Sequence, residues 1–156
     1  MSKLEEGKPA PNFSLASSAG REVSLVDFKN KKKIVLYFYP KDDTPGCTKE
    51  SCDFRDSIKK IEKEDAVVLG VSKDDLDSHE KFIKKYKLPF ILLSDESKET
   101  IKKYGIWKEK SLYGKKYMGV ERTTVIIDKK GIVRRIFPKV KVDGHLEEVL
   151  KALSGI

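Results

Sequence analysis

Ile34-Val35-Leu36-Tyr37-Phe38-Tyr39 runs directly into Pro40-Lys41-Asp42-Asp43-Thr44-Pro45-Gly46-Cys47-Thr48-Lys49-Glu50-Ser51-Cys52. The first stretch is continuously apolar or aromatic, which predicts a central strand buried on both faces. Pro40 ends it. Thr44 then offers an N-cap and Pro45 suits the first helical position, so a helix should start there and run to about residue 63. A buried strand that feeds a helix through a short loop is the opening of an α/β sheet.

The flanking sequence extends that pattern. Residues 11–25 predict a hairpin, with Phe13, Leu15, Val23 and Leu25 alternating around a turn at Ala19-Gly20. Residues 66–71 predict a second buried strand. Residues 75–87 predict a helix with Leu76, Ile83 and Tyr86 inward, stopped by Pro89. A short strand over 90–93 and a short helix over 97–104 follow, then a long loop over 105–120. Thr123 to Asp128 and Ile132 to Phe137 predict a hairpin around Lys129-Lys130-Gly131. A last helix should begin near Asp143 as N-cap and bury Leu146, Val149, Leu150 and Leu153. The sum is one α/β domain over residues 1–156, a central sheet with helices on both faces.

Composition narrows the classes. A chain of 156 residues with 38% hydrophobic content can bury one full core. No apolar run approaches the ~20 residues that span a membrane. The leading Met1-Ser2-Lys3-Leu4-Glu5-Glu6-Gly7-Lys8 mixes both charge signs and is not read as a secretory signal. A cytoplasmic location is the expectation, and there a cysteine pair serves catalysis more often than structure. The net charge of +8 comes from 33 basic and 25 acidic residues. Its densest run, Lys29-Asn30-Lys31-Lys32-Lys33, reads as a solvated turn before a buried strand and not as a site for nucleic acid.

Cys47 and Cys52 are the only cysteines. Cys47 falls in the first turn of the expected helix, where unpaired backbone N–H groups and the helix dipole favour a thiolate. Phe54, Ile58 and Ile61 share its face, so it should sit in a recess toward the core. Cys52 is rotated about 140° away. Its neighbours Ser51, Arg55 and Lys59 are polar, which places it nearer solvent. On a regular helix the two Cα atoms would lie roughly 8–9 Å apart, beyond the ~7 Å that a disulfide tolerates. Closing that bond would require local unwinding.

The run Pro40-x-x-x-Thr44-x-x-Cys47 resembles the active-site motif of the peroxiredoxins. Cys52, five residues on, is similar to the second cysteine of the peroxiredoxin Q group, also called bacterioferritin comigratory protein. The resemblance covers nearly the whole chain. It includes Gly7-Lys8-Pro9-Ala10-Pro11-Asn12-Phe13, Leu92-Leu93-Ser94-Asp95, Tyr104-Gly105-Ile106-Trp107, Tyr117-Met118-Gly119 and Glu121-Arg122-Thr123-Thr124-Val125-Ile126-Ile127-Asp128. It implies a thioredoxin-like fold with an N-terminal β-hairpin extension and a central mixed sheet flanked by helices. It implies a peroxidatic Cys47 that attacks hydrogen peroxide or an organic hydroperoxide and becomes a sulfenic acid. Cys52 would resolve it as an intramolecular Cys47–Cys52 disulfide, which a thioredoxin- or glutaredoxin-type dithiol would reduce. By the same resemblance, Thr44 bonds the peroxide besides capping the helix, and Pro40 shields the sulfur. Arg122 stabilises the charge that develops, and the N–H groups of Gly46 and Cys47 help bind the oxygens. Glu50 is expected to orient Arg122. No metal or organic cofactor is implied, and with both cysteines in one helix a monomer suffices.

Other classes fit the residues less well. A general thiol–disulfide oxidoreductase would carry Cys-x-x-Cys, which is absent. Two Cys and two distant His lack zinc-finger spacing. His79 and His145 read as solvent-facing helix residues. Trp107, Tyr113 and Tyr117 lie among Lys108, Lys110, Lys115 and Lys116. That interleaving can bind single strands, but here it reads as a loop packed beside the active site.

Overall fold

A computed structural model describes residues 4–156; Met1, Ser2 and Lys3, on which part of the N-terminal reading rests, lie outside the described residues. In chain order the strands and helices are β1 (Ser14–Ser17), β2 (Glu22–Ser24), β3 (Lys33–Phe38), α1 (Pro45–Asp56), α2 (Ile58–Lys63), β4 (Ala66–Ser72), α3 (Leu76–Tyr86), β5 (Ile91–Ser94), α4 (Glu99–Lys103), β6 (Trp107–Leu112), β7 (Lys115–Val120), β8 (Thr123–Ile127), β9 (Val133–Phe137) and α5 (His145–Ser154). Seven strands form one mixed sheet in the order β2-β1-β5-β4-β3-β8-β9. β3, β4 and β5 run parallel, and β1, β8 and β9 join antiparallel.

The apolar run of β3 explains its place beside the sheet's centre. Ile34, Leu36 and Phe38 point into one core with Val71, Tyr104 and Val125. Val35, Tyr37 and Tyr39 point into a second core with Phe54, Ile61, Phe82 and Val149. Both faces of the strand are covered, so alternation with polar residues is lost. Each fully buried large side chain there contributes about 1.5–3 kcal/mol.

Four expectations need correction. The helix over 45–63 is two helices, because Ser57 leaves the helical region at φ −116°, ψ 15°. The inward stripe of α3 also includes His79 and Phe82, which are fully buried, while Leu76, Ile83 and Tyr86 are half-buried, the last two packed against the second core. α5 starts after Gly144 at φ +79°, a left-handed conformation suited to glycine, and Asp143 does not cap it. Most of residues 105–120 form a β-hairpin, not a loop, with strands over Trp107–Leu112 and Lys115–Val120. Tyr113 and Gly114 both have positive φ, which makes the tight two-residue turn that joins β6 to β7. Tyr113, at the tip of that turn, is 96% exposed. In the basic run, Lys32 pairs with Asp65 at 2.8 Å and Lys33 donates to the Leu153 carbonyl, so part of it is tied to the fold.

Candidate active site

The register of the sheet brings two distant segments together. Phe38 in β3 faces Thr123 in β8. One step beyond that pair, β3 turns toward α1 and the chain entering β8 presents Arg122. Cys47 lies in the first turn of α1 and is 1% exposed. Arg122 Nη2 donates to Cys47 Sγ at 3.3 Å, and Nη1 donates to Glu50 Oε1 at 2.7 Å. Cys47 and Glu50 are three apart on one helix, so a single planar guanidinium can reach both. A cation held at that distance stabilises negative charge on the sulfur. Gly46 makes room for it: a Cβ there would stand 3.1 Å from Arg122 Nη2.

Glu50 is 2% exposed, and its Oε2 has no hydrogen-bond partner among the described residues. Burial pushes its carboxyl up to about 7, against the opposing pull of Arg122. Above the ordinary carboxylate range and below that value, the folded protein holds a proton that the unfolded chain has released. The stability from this group is therefore present at acid pH and is lost as pH rises toward 7. The linkage is about 3 kcal/mol at most. Thermal melts between about pH 5 and pH 8 should show wild type losing stability relative to Glu50→Gln as pH rises. Parallel pH profiles would show that the pair with Arg122 keeps Glu50 ionised throughout.

The remaining predicted residues lie around this centre. Thr44 is the N-cap residue of α1 by backbone geometry, and its carbonyl accepts from Thr48 N–H at 2.8 Å. Its hydroxyl makes no cap bond and donates instead to the Lys41 carbonyl at 3.0 Å. The expected side-chain cap is thus absent. Pro40 is half-buried at the head of the loop, and its carbonyl accepts from Lys73. Cys52 is half-buried in the same unbroken helix as Cys47, and both thiols are free. Burial pushes the Cys52 thiol up, with Asp56 and Asp53 adding to the effect and Arg55 opposing it. Ser51, expected on a solvent-facing side, is fully buried, because its Oγ pairs with the Tyr37 hydroxyl at 2.8 Å. Lys110 of β6 sits in the field of Arg122 and Cys47. Burial and Arg122 lower its pKa.

Both histidines are buried, contrary to expectation. His79 bonds Asp42 and the Leu93 carbonyl, and His145 bonds the Thr124 hydroxyl. The signal was present in α3: Leu76, His79, Ile83 and Tyr86 recur at helical spacing, so His79 lies on the inward stripe. Among the described residues no three of His, Cys, Asp and Glu converge as metal ligands, and no helix is long and apolar enough to cross a membrane.

The chain matches the AhpC/TSA family over residues 7–136. It is 51% identical over 150 residues to a putative peroxiredoxin bcp of Coxiella burnetii, covering 96% of this chain and 99% of that one. Among solved structures, Xylella fastidiosa PrxQ superposes with a TM-score of 0.91 at 36% identity, over 97% of this chain and 96% of that one. Xanthomonas campestris bacterioferritin comigratory protein, solved in work on its alkyl peroxide reduction activity, gives 0.86 at 38% identity over 92% and 90%. The fold shared with these structures is the thioredoxin-like one, a mixed sheet flanked by helices.

Proposed function

We propose, from the premise that this chain belongs to the AhpC/TSA family as a peroxiredoxin of the Q/Bcp kind and is therefore a thiol peroxidase, that Cys47 is its peroxidatic cysteine and Cys52 its resolving one. One observation carries the assignment. A buried cysteine in the first turn of α1 accepts a hydrogen bond from Arg122 at 3.3 Å, with a second free thiol five residues on.

The thiolate of Cys47 attacks the terminal oxygen of the hydroperoxide, and the O–O bond breaks. Cys47 becomes a sulfenic acid, and the leaving oxygen takes a proton to give water or an alcohol. Arg122 offers positive charge where that oxygen becomes negative. Thr44 bonds the peroxide through its hydroxyl once that hydroxyl is released from the Lys41 carbonyl. Gly46 and Cys47 N–H groups in the first turn are free of intrahelical partners and can bind the oxygens. Pro40 screens the sulfur from bulk water. Both hydrogen peroxide and organic hydroperoxides fit this chemistry, and the alkyl peroxide reduction of the Xanthomonas relative favours including the latter.

Resolution then needs movement. α1 is continuous through 47–52, a spacing at which the disulfide cannot close. Cys52 with its raised pKa stays a thiol while the helix holds. Unwinding exposes it, and it condenses with the sulfenic acid to give the disulfide and water. A thioredoxin- or glutaredoxin-type dithiol returns both cysteines to thiols by exchange. Because Cys52 shares a helix with Cys47, one chain completes the cycle, which suits a monomer in the reducing cytoplasm.

The test is one equivalent of peroxide added to reduced protein in stopped flow. The product should be a single species lighter by two hydrogens, with faster amide exchange over residues 47–55 than before. A confirmed disulfide with unchanged protection would sink the unwinding step. No reaction with any hydroperoxide would sink the assignment of Cys47.

A further inference from the structure

The loop from Tyr39 to Thr44 carries Pro40 and Thr44 and sets where α1 begins, yet it belongs to no helix or strand. Side chains hold it, and Asp42 is their centre. Asp42 Oδ1 accepts from the Tyr39 hydroxyl at 2.5 Å. Its Oδ2 accepts from the Ser78 hydroxyl at 2.8 Å and faces His79 Nδ1 at 2.7 Å. The Asp42 N–H donates to Asp74 Oδ2 at 2.9 Å. His79 is 0% exposed, and its Nε2 stands 2.8 Å from the Leu93 carbonyl oxygen of β5. A carbonyl only accepts, so Nε2 carries hydrogen. The other ring nitrogen then meets a carboxylate already accepting two hydroxyls, an arrangement that favours imidazolium against carboxylate. Burial opposes that charge on His79, and Asp42 together with the Leu93 carbonyl outweighs it, so the pKa is raised. Next along the loop, Asp43 is gripped by Lys85 and the Tyr86 hydroxyl of α3 at 2.8 and 2.6 Å.

A buried ion pair is a poor source of stability, since well-packed apolar residues of similar volume often do as well or better. Its position at the entry to the helix of Cys47 points to geometry instead. We propose that Asp42 and His79 are positioning residues for the peroxide reaction: the buried pair fastens the Pro40–Thr44 loop to α3 and β5 and so fixes the peroxide pocket in front of Cys47. The inference rests on the reading of Cys47 given above.

The experiment compares two reactions of Cys47 in reduced full-length protein at one pH. Oxidation by hydrogen peroxide needs the pocket; alkylation by iodoacetamide needs only a reactive sulfur. His79→Leu should slow oxidation by about 10–100-fold, as expected when reacting groups are misplaced by about 1 Å, and change alkylation by less than about threefold. Tyr39→Phe, which removes the hydroxyl bonded to Asp42 Oδ1, should show the same split more weakly. His79→Gln keeps a side-chain N–H donor, but without the ring it cannot hold Asp42 and the Leu93 carbonyl at opposite ends, and it should recover part of the rate. If His79→Leu fails to fold by circular dichroism, the other two variants decide. Equal losses in both reactions, or no loss in either, overturn the positioning role. Wild-type protein inert to peroxide would overturn the reading of Cys47, and the positioning role with it.

Discussion

Cys47→Ser leaves a folded protein without peroxidase turnover. The exchange nearly conserves volume in a site that is 1% exposed, and a serine Oγ can accept the Arg122 hydrogen bond that Sγ accepts now. Thermal stability should therefore change little. The chemistry cannot survive. A serine hydroxyl stays protonated near neutral pH and is a weak nucleophile toward peroxide oxygen, and the two imidazoles bond other partners, His79 to Asp42 and Leu93 and His145 to Thr124. Turnover should fall by roughly four orders of magnitude or more, the scale on which loss of a nucleophile registers. Peroxide consumption with a dithiol donor measures it. Near-normal turnover in the folded variant would show that Cys52 or another group meets the peroxide first.

How the site assembles was legible only where local pattern and tertiary demand agree. The strand over Ile34–Tyr39 could be read because both of its faces are apolar, and both are buried. Thr44-Pro45 marked the start of α1 to the residue. Phe54 and Ile61 follow Cys47 on the buried face as helical spacing requires. What the pattern missed are polar residues satisfied by partners far along the chain. Ser51 looks solvent-facing until Tyr37, fourteen residues earlier in sequence, supplies its bond. His79 looks like surface until Asp42 and Leu93 pair with both ring nitrogens. The β6–β7 hairpin escaped for another reason. Among the described residues its strands pair with one another and not with the main sheet, and they are largely exposed, so no apolar alternation marks them. Its turn also puts Tyr113 where asparagine, aspartate or glycine is usual.

The same distinction separates the two partners of Arg122. Its pairing with Glu50 organises the site, whereas its bond to Cys47 lies on the reaction path. Both contacts leave from one guanidinium, so a single substitution removes them together. In Arg122→Met, Glu50 loses the charge that opposes burial, and its carboxyl, already pushed up to about 7, should stay protonated at neutral pH. A neutral buried acid is tolerable, so the fold should persist. The peroxide step should not. As the O–O bond breaks, negative charge grows on the leaving oxygen, and a fixed cation stabilises that state more than the bound peroxide. Loss of one such donor costs on the order of 10²–10³ in rate. The second-order rate of Cys47 oxidation in Arg122→Met should fall by about that much at matched pH. Arg122→Lys should lie between, because one ammonium cannot span Glu50 and Cys47 as the planar fork does. An unchanged oxidation rate in the folded methionine variant would reduce Arg122 to the ion-pair partner of Glu50 and leave the helix N-terminus and Lys110 as the electrostatic support of the reaction.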